Sequence, residues 1–104
     1  MITDVKIPQI DEIQQMTNIA KDNIYIKGRD GIIVHIIANI KEQAPKGMSY
    51  AYGDYDITDG KKIFDRKDEM INEIKYYFKQ YKFDKIVISS DNYNLVKLNY
   101  TISW

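Results

Sequence analysis

The chain has 104 residues, 44% hydrophobic and 29% charged, with 15 Lys+Arg balancing 15 Asp+Glu and no cysteine. This is the length and composition of one ordinary globular domain over 1–104, not of a disordered segment. Zero net charge argues against a dedicated nucleic-acid binder, which gains affinity by neutralising phosphates, and the lack of cysteine excludes disulfides, thiolate nucleophiles and zinc–thiolate sites.

The N-terminal MITDVKIPQIDE lacks the basic and apolar blocks of a signal peptide, so none is expected. The longest apolar run, 31–38, is broken by His35 and is too short to span a bilayer. A cytoplasmic protein with no membrane contact is the expectation.

Pro8 suits a first helical turn, Asp11 and Glu12 favour the positive end of the helix dipole, and Ile10, Ile13, Thr17 and Ala20 recur at helical spacing. These features predict a helix over 8–21. Ile24 and Ile26 alternate with Tyr25 and Lys27 and predict a strand over 23–27. Gly28-Arg29-Asp30-Gly31 then reads as a turn, and 32–40 as a second strand with apolar residues on both faces. Gln43-Ala44-Pro45-Lys46-Gly47 is a loop. A third strand over 48–55 sets large Met48, Tyr50 and Tyr52 against small Ser49, Ala51 and Gly53, with Tyr55 on the latter side.

Asp65 is placed as the N-cap of a long helix. Met70, Ile71, Ile74, Tyr77, Phe78 and Tyr81 form its apolar stripe, and Lys75, Lys79 and Lys82 its solvated side. Strands over 85–89 and 95–104 follow, joined by a turn over 90–94. The last carries Val96, Leu98, Tyr100, Ile102 and Trp104 on one face. The order α-β-β-β-α-β-β predicts an α+β fold: a five-stranded antiparallel sheet with two helices on one face.

The nearest approach to a chemical motif is Gly53-Asp54-Tyr55-Asp56-Ile57-Thr58-Asp59-Gly60. Counted from Asp54 as a calcium loop, it puts Asp59 where glycine is required and Asp65 where a bidentate Glu is required. It therefore reads as an Asp-Gly turn after a strand, without metal. His35 is the only histidine and has no sequence partners for a triad. The carboxylate pairs Asp11/Glu12 and Asp68/Glu69 serve helix dipoles, and no Gly-rich phosphate loop exists. No catalytic residue and no cofactor are expected.

Two binding surfaces compete. Nine tyrosines are many for this length, and tyrosine gives large amphipathic contact area at low entropy cost. Tyr50, Tyr52 and Tyr55 are thus candidate contacts for a protein partner, or else cap a sheet face partly covered by helices. Lys75, Lys79, Lys82 and Lys85, interleaved with Tyr76, Tyr77, Tyr81 and Phe83, are the alternative: a basic-aromatic strip for single-stranded nucleic acid in a plasmid or phage accessory protein. Finally, Ile33 and Ile37 flank His35 on the uncovered side of the predicted strand 32–40. That arrangement predicts a homodimer through Ile33, His35 and Ile37, loosened when the histidines protonate.

The layout resembles the YezG-like immunity proteins. The resemblance is carried by an N-terminal helix, the aromatic strand MSYAYGDYDI, a long helix and the closing hairpin SSDNYNLVKLNYTISW. It implies a non-enzymatic inhibitor that occludes a secreted nuclease toxin. An antitoxin or an inhibitor from a phage or mobile element, acting on a defence or host enzyme, is the same kind of protein.

Overall fold

The chain from Ile10 to Gln43 is one uninterrupted α-helix, α1, in place of the expected helix, turn and two strands. The computed structural model describes residues 7–91, 93 and 95–104. Tyr25, Gly28, Ile32 and Ile36 are the buried residues of α1, and their spacing of three and four puts them on one face. The helix ends where Pro45 forces a 3₁₀ turn over Ala44–Lys46 and Gly47 takes the left-handed conformation, φ 81°.

The two glycines that suggested a turn have another purpose. A Cβ on Gly31 would lie 2.8 Å from the Tyr55 hydroxyl, and one on Gly28 would lie 2.8 Å from Ile63 Cδ1. Both are points of close approach between α1 and the rest of the fold. The isoleucines over 32–40 looked like a doubly covered strand because α1 is apolar around much of its circumference. β-branching only weakly disfavours a helix, and burial of Ile32 and Ile36, about 1.5–3 kcal/mol each, overrides it.

The remaining elements are β1 (Tyr50–Asp56), a four-residue helix α2 (Gly60–Ile63), a 3₁₀ turn over Phe64–Arg66, α3 (Lys67–Tyr77), β2 (Lys82–Ser90) and β3 (Val96–Ser103). Asp65 lies in the 3₁₀ turn and does not cap α3, whose N-cap position is Arg66. The fold is α+β, with a three-stranded antiparallel sheet in the order β1-β3-β2 instead of five strands. β3 is central, which its strict alternation of buried Val96, Leu98, Tyr100 and Ile102 reflects. Asp91 Oδ1 accepts from the Tyr93 and Leu95 amides in the β2–β3 connection.

One core joins Ile32 and Ile36 of α1, Met70 and Ile74 of α3, and the inward side chains of the sheet. Tyr77 and Tyr81, placed by sequence in the buried stripe of α3, are exposed. The helices cover one face of the sheet and leave the other open. α1 also overshoots the body: every described residue before Ile24 is exposed, and the molecule extends 73 Å along its long axis.

The homodimer patch expected on a strand does not exist in that form. On a helix, Ile33 and Ile37 share a side while His35 turns about 180° away from their mean direction. The His35 ring packs 4.8 Å from Tyr55 and 5.8 Å from Tyr100, under the sheet, and its Nε2 is buried without a partner among the described residues. No described helix is long and apolar enough to cross a membrane.

Candidate functional site

Alternation along β1 separates the three candidate tyrosines. Ala51, Gly53 and Tyr55 point to the core side, whereas Tyr50 and Tyr52 point out of the open face. The Tyr50 and Tyr52 rings stack with centroids 6.3 Å apart and planes 17° from parallel. Tyr52 is 70% exposed and Tyr50 is 42% exposed. Tyr55 is partly buried against the core.

Strand register continues these positions across the sheet. Tyr50 pairs with Ser103, which pairs with Lys82; Tyr52 pairs with Thr101, which pairs with Lys85. The open face therefore carries two parallel rows, Tyr–Ser–Lys and Tyr–Thr–Lys, with ends about 10 Å apart at ordinary strand spacing. A bulge between Phe83 and Lys85 lets β2 keep Phe83 inward and both lysines outward. Tyr50 and Tyr52 from one predicted site and Lys82 and Lys85 from its rival thus belong to one surface.

The four lysines of the basic-aromatic strip are divided. Lys75 is exposed on α3 and Lys79 lies 5.4 Å from the Tyr76 ring centre, both in the helical layer, while Lys82 and Lys85 lie on the open sheet face. On that face charges are largely matched. Lys82 reaches Asp84 at 3.4 Å, Lys97 reaches Asp56 at 3.8 Å, and Asn99 donates to Asp54. These exposed pairs stabilise the fold little, but they cancel the field that a phosphate backbone would need.

The expected turn is present. Thr58 and Asp59 form it, Asp59 adopts φ 55°, and α2 starts at Gly60. Asp56 turns toward Lys97. Among the described residues, no three acidic or histidine side chains gather at metal-binding distance.

Sequence reasoning missed a second cluster, where α1 meets the start of α3. The Arg66 guanidinium lies 3.8 Å from the Tyr25 ring centre, donates to both carboxylate oxygens of Glu69 at 3.0 Å and reaches Asp22 at 3.1 Å. Arg29 donates to Glu73 at 3.0 Å and lies over the Tyr77 ring. Burial pushes the Tyr25 phenol well above its usual value, with the Glu73 and Glu69 charges adding to the effect. The adjoining groove of about 620 Å³ is lined by Arg29, Glu69, Asn72, Glu73, Tyr76 and Tyr77. Arg29, Glu69 and Glu73 already satisfy one another or Arg66, so the charged groups of this groove are held in pairs within the chain. No sequence signal could have found the cluster, because its members meet only once 23–40 is helical.

Comparison of the chain with protein-family models, with curated proteins and with solved structures gives no match.

Proposed function

We propose that this protein is a small, non-enzymatic, cytoplasmic binding module that occludes a protein partner through the open face of its sheet, in the manner of an immunity protein or antitoxin. The observation that carries the reading is the stacked, exposed Tyr50–Tyr52 pair on a surface where Lys82 and Lys97 are paired to aspartates. Aromatic side chains anchor protein interfaces, and a small polar row beside them, here Thr101 and Ser103, lets a partner approach the sheet closely. The resemblance to YezG-like proteins would make that partner a nuclease toxin. In its favour stands the order of N-terminal helix, aromatic strand, second helix and closing hairpin.

Single-stranded nucleic acid is the second reading, favoured by the rows that set Tyr50 and Tyr52 across from Lys82 and Lys85. It is disfavoured by Lys82 and Lys97 being paired to aspartates, since counterion release needs free cations. Affinity capture from the native host, with mass spectrometry of protein and quantification of nucleic acid, separates the two. A protein retained by the wild type, resistant to nuclease and salt, and lost from Tyr50→Ala/Tyr52→Ala is expected. Recovery of nucleic acid that declines steeply with salt, or no difference between wild type and variant, would overturn the proposal.

A further inference from the structure

We infer that the N-terminal arm of α1, residues 10–21, is a conditional helix: an order–disorder element in exchange between helix and coil, separate from the open sheet face. Every described residue before Ile24 is exposed, and Ile10, Met16 and Ile19 are 77%, 62% and 61% exposed. Among the described residues, the first side chain of α1 to bond the body is Asp22, whose carboxylate accepts from Arg66 Nη1 at 3.1 Å. Three residues later the Tyr25 ring lies under the same guanidinium, and burial of α1 begins there. The body therefore grips the helix from Asp22 onward and leaves the preceding three turns to hold themselves.

A helix without packing rests on propensity, capping and side-chain pairs, because most helical stability in proteins comes from tertiary burial. The arm is poor in all three. Ile10, Ile13, Thr17 and Ile19 are β-branched and lose χ1 freedom against the preceding turn, while Asn18 competes for the backbone. The N-cap position, Gln9, makes no side-chain cap bond. No acid and base stand three or four residues apart within 10–21. Asp11 and Glu12 are followed at those spacings by Gln14, Gln15 and Met16, and Lys21 is preceded by Thr17 and Asn18.

The rest of α1 differs in each respect that matters. Tyr25, Gly28, Ile32 and Ile36 are buried, and Asn39 is bonded to the sheet. This held segment is a permanent nucleus, so the arm lengthens or shortens from Asp22 one residue at a time without a fresh nucleation step. Helix content should fall steadily from Lys21 toward Ile10. Segments that order only when shielded are a recurrent switching device, and the free energy of ordering them is subtracted from whatever contact shields them. Contacts made through this arm are consequently weak and reversible.

Hydrogen exchange of the full chain at low micromolar concentration, read by mass spectrometry of its peptides, tests this. Amides over 14–21 should exchange within about tenfold of the unstructured rate, and those over 32–36 at least about a hundredfold more slowly. A second measurement asks whether the isoleucines support the arm or weaken it. In an exposed helix, alanine is favoured over isoleucine by about twofold per residue. Ile13→Ala/Ile19→Ala should therefore raise the helical fraction of the arm, read from its Cα chemical shifts. If the isoleucines were packed, the same change would lower it. Protection over 14–21 equal to that over 32–36, or a helical fraction that falls or stays the same in the alanine variant, would overturn the proposal.

Discussion

One nitrogen of Asn39 on α1 serves two acceptors in the sheet: Nδ2 lies 2.8 Å from the Tyr100 hydroxyl and 3.0 Å from the main-chain oxygen of Tyr52. The first contact satisfies a polar atom at the end of a core side chain, since Tyr100 is 1% exposed. The second guards an edge. The amides of Trp104 and Ile57 donate to Ser49 and Val96, so by two-residue alternation the Tyr52 carbonyl points away from β3, off the free edge of β1. Capping an edge carbonyl from a helix removes a site where another strand could add.

Asn39→Ala should therefore destabilise the protein by about 1–3 kcal/mol, the cost of leaving a buried hydroxyl unsatisfied. Tyr100→Phe removes that hydroxyl, so in its background Asn39→Ala should cost less. Urea denaturation of the four proteins of this cycle measures the coupling. Equal cost in both backgrounds would mean the 2.8 Å contact contributes nothing.

Gly31 provides a test of the helix itself. Gly31→Ala should destabilise, because its Cβ would meet the Tyr55 hydroxyl at 2.8 Å. With Tyr55→Phe the obstacle is gone, and alanine within a helix should then gain about 0.5–1 kcal/mol over glycine. If 28–31 were a turn between strands, no such gain would appear in the Tyr55→Phe background.

Arg66→Lys should cost about 1 kcal/mol, although lysine keeps the charge. The planar guanidinium bonds both oxygens of Glu69 while its carbon lies 3.8 Å from the Tyr25 ring centre, and an ammonium cannot do both. The ion pairs are exposed and salt-screened, whereas the ring contact is on a buried tyrosine. Most of the cost should consequently persist at high ionic strength. A difference that vanishes in concentrated salt would assign the effect to the ion pairs alone.

Stability should decline on both sides of neutrality, for different groups. Hydrogen bonding from Arg66 holds the Glu69 carboxyl below the usual carboxylate range. Its contribution is present above the unfolded value and is lost as pH falls through the folded one. Burial raises the Tyr25 and Tyr100 phenols. Above about pH 10 the unfolded chain releases protons that the folded chain keeps, so unfolding is favoured as pH rises, by up to about 1.4 kcal/mol per pH unit for each phenol. Tyr25→Phe should flatten this alkaline limb in thermal melts, and an unchanged limb would remove Tyr25 as its cause.

The elements legible in the sequence were those with a clean period and a single buried face. β3 was clear because Val96, Leu98, Tyr100 and Ile102 alternate without interruption, and α3 because Met70, Ile74 and Phe78 fall four apart. The turn at Asp59 was legible from Asp-Gly chemistry, and the grouping of Tyr50 with Tyr52 on one side from alternation along β1. Residues 23–40 were not. A run apolar on all sides has no period to distinguish strand from helix, and the glycines at 28 and 31 imitate a turn until Ile63 and Tyr55 are seen pressing against them. That one decision, made by packing at a distance of some thirty residues, removed two strands from the sheet and turned His35 inward. It also left an open sheet face, joined Lys82 and Lys85 to the exposed tyrosines, and produced the unsupported arm of α1. Local sequence thus determined which short segments pair and which side of each is apolar; only tertiary contacts, which no local period encodes, decided how long the first helix runs and which surfaces remain free.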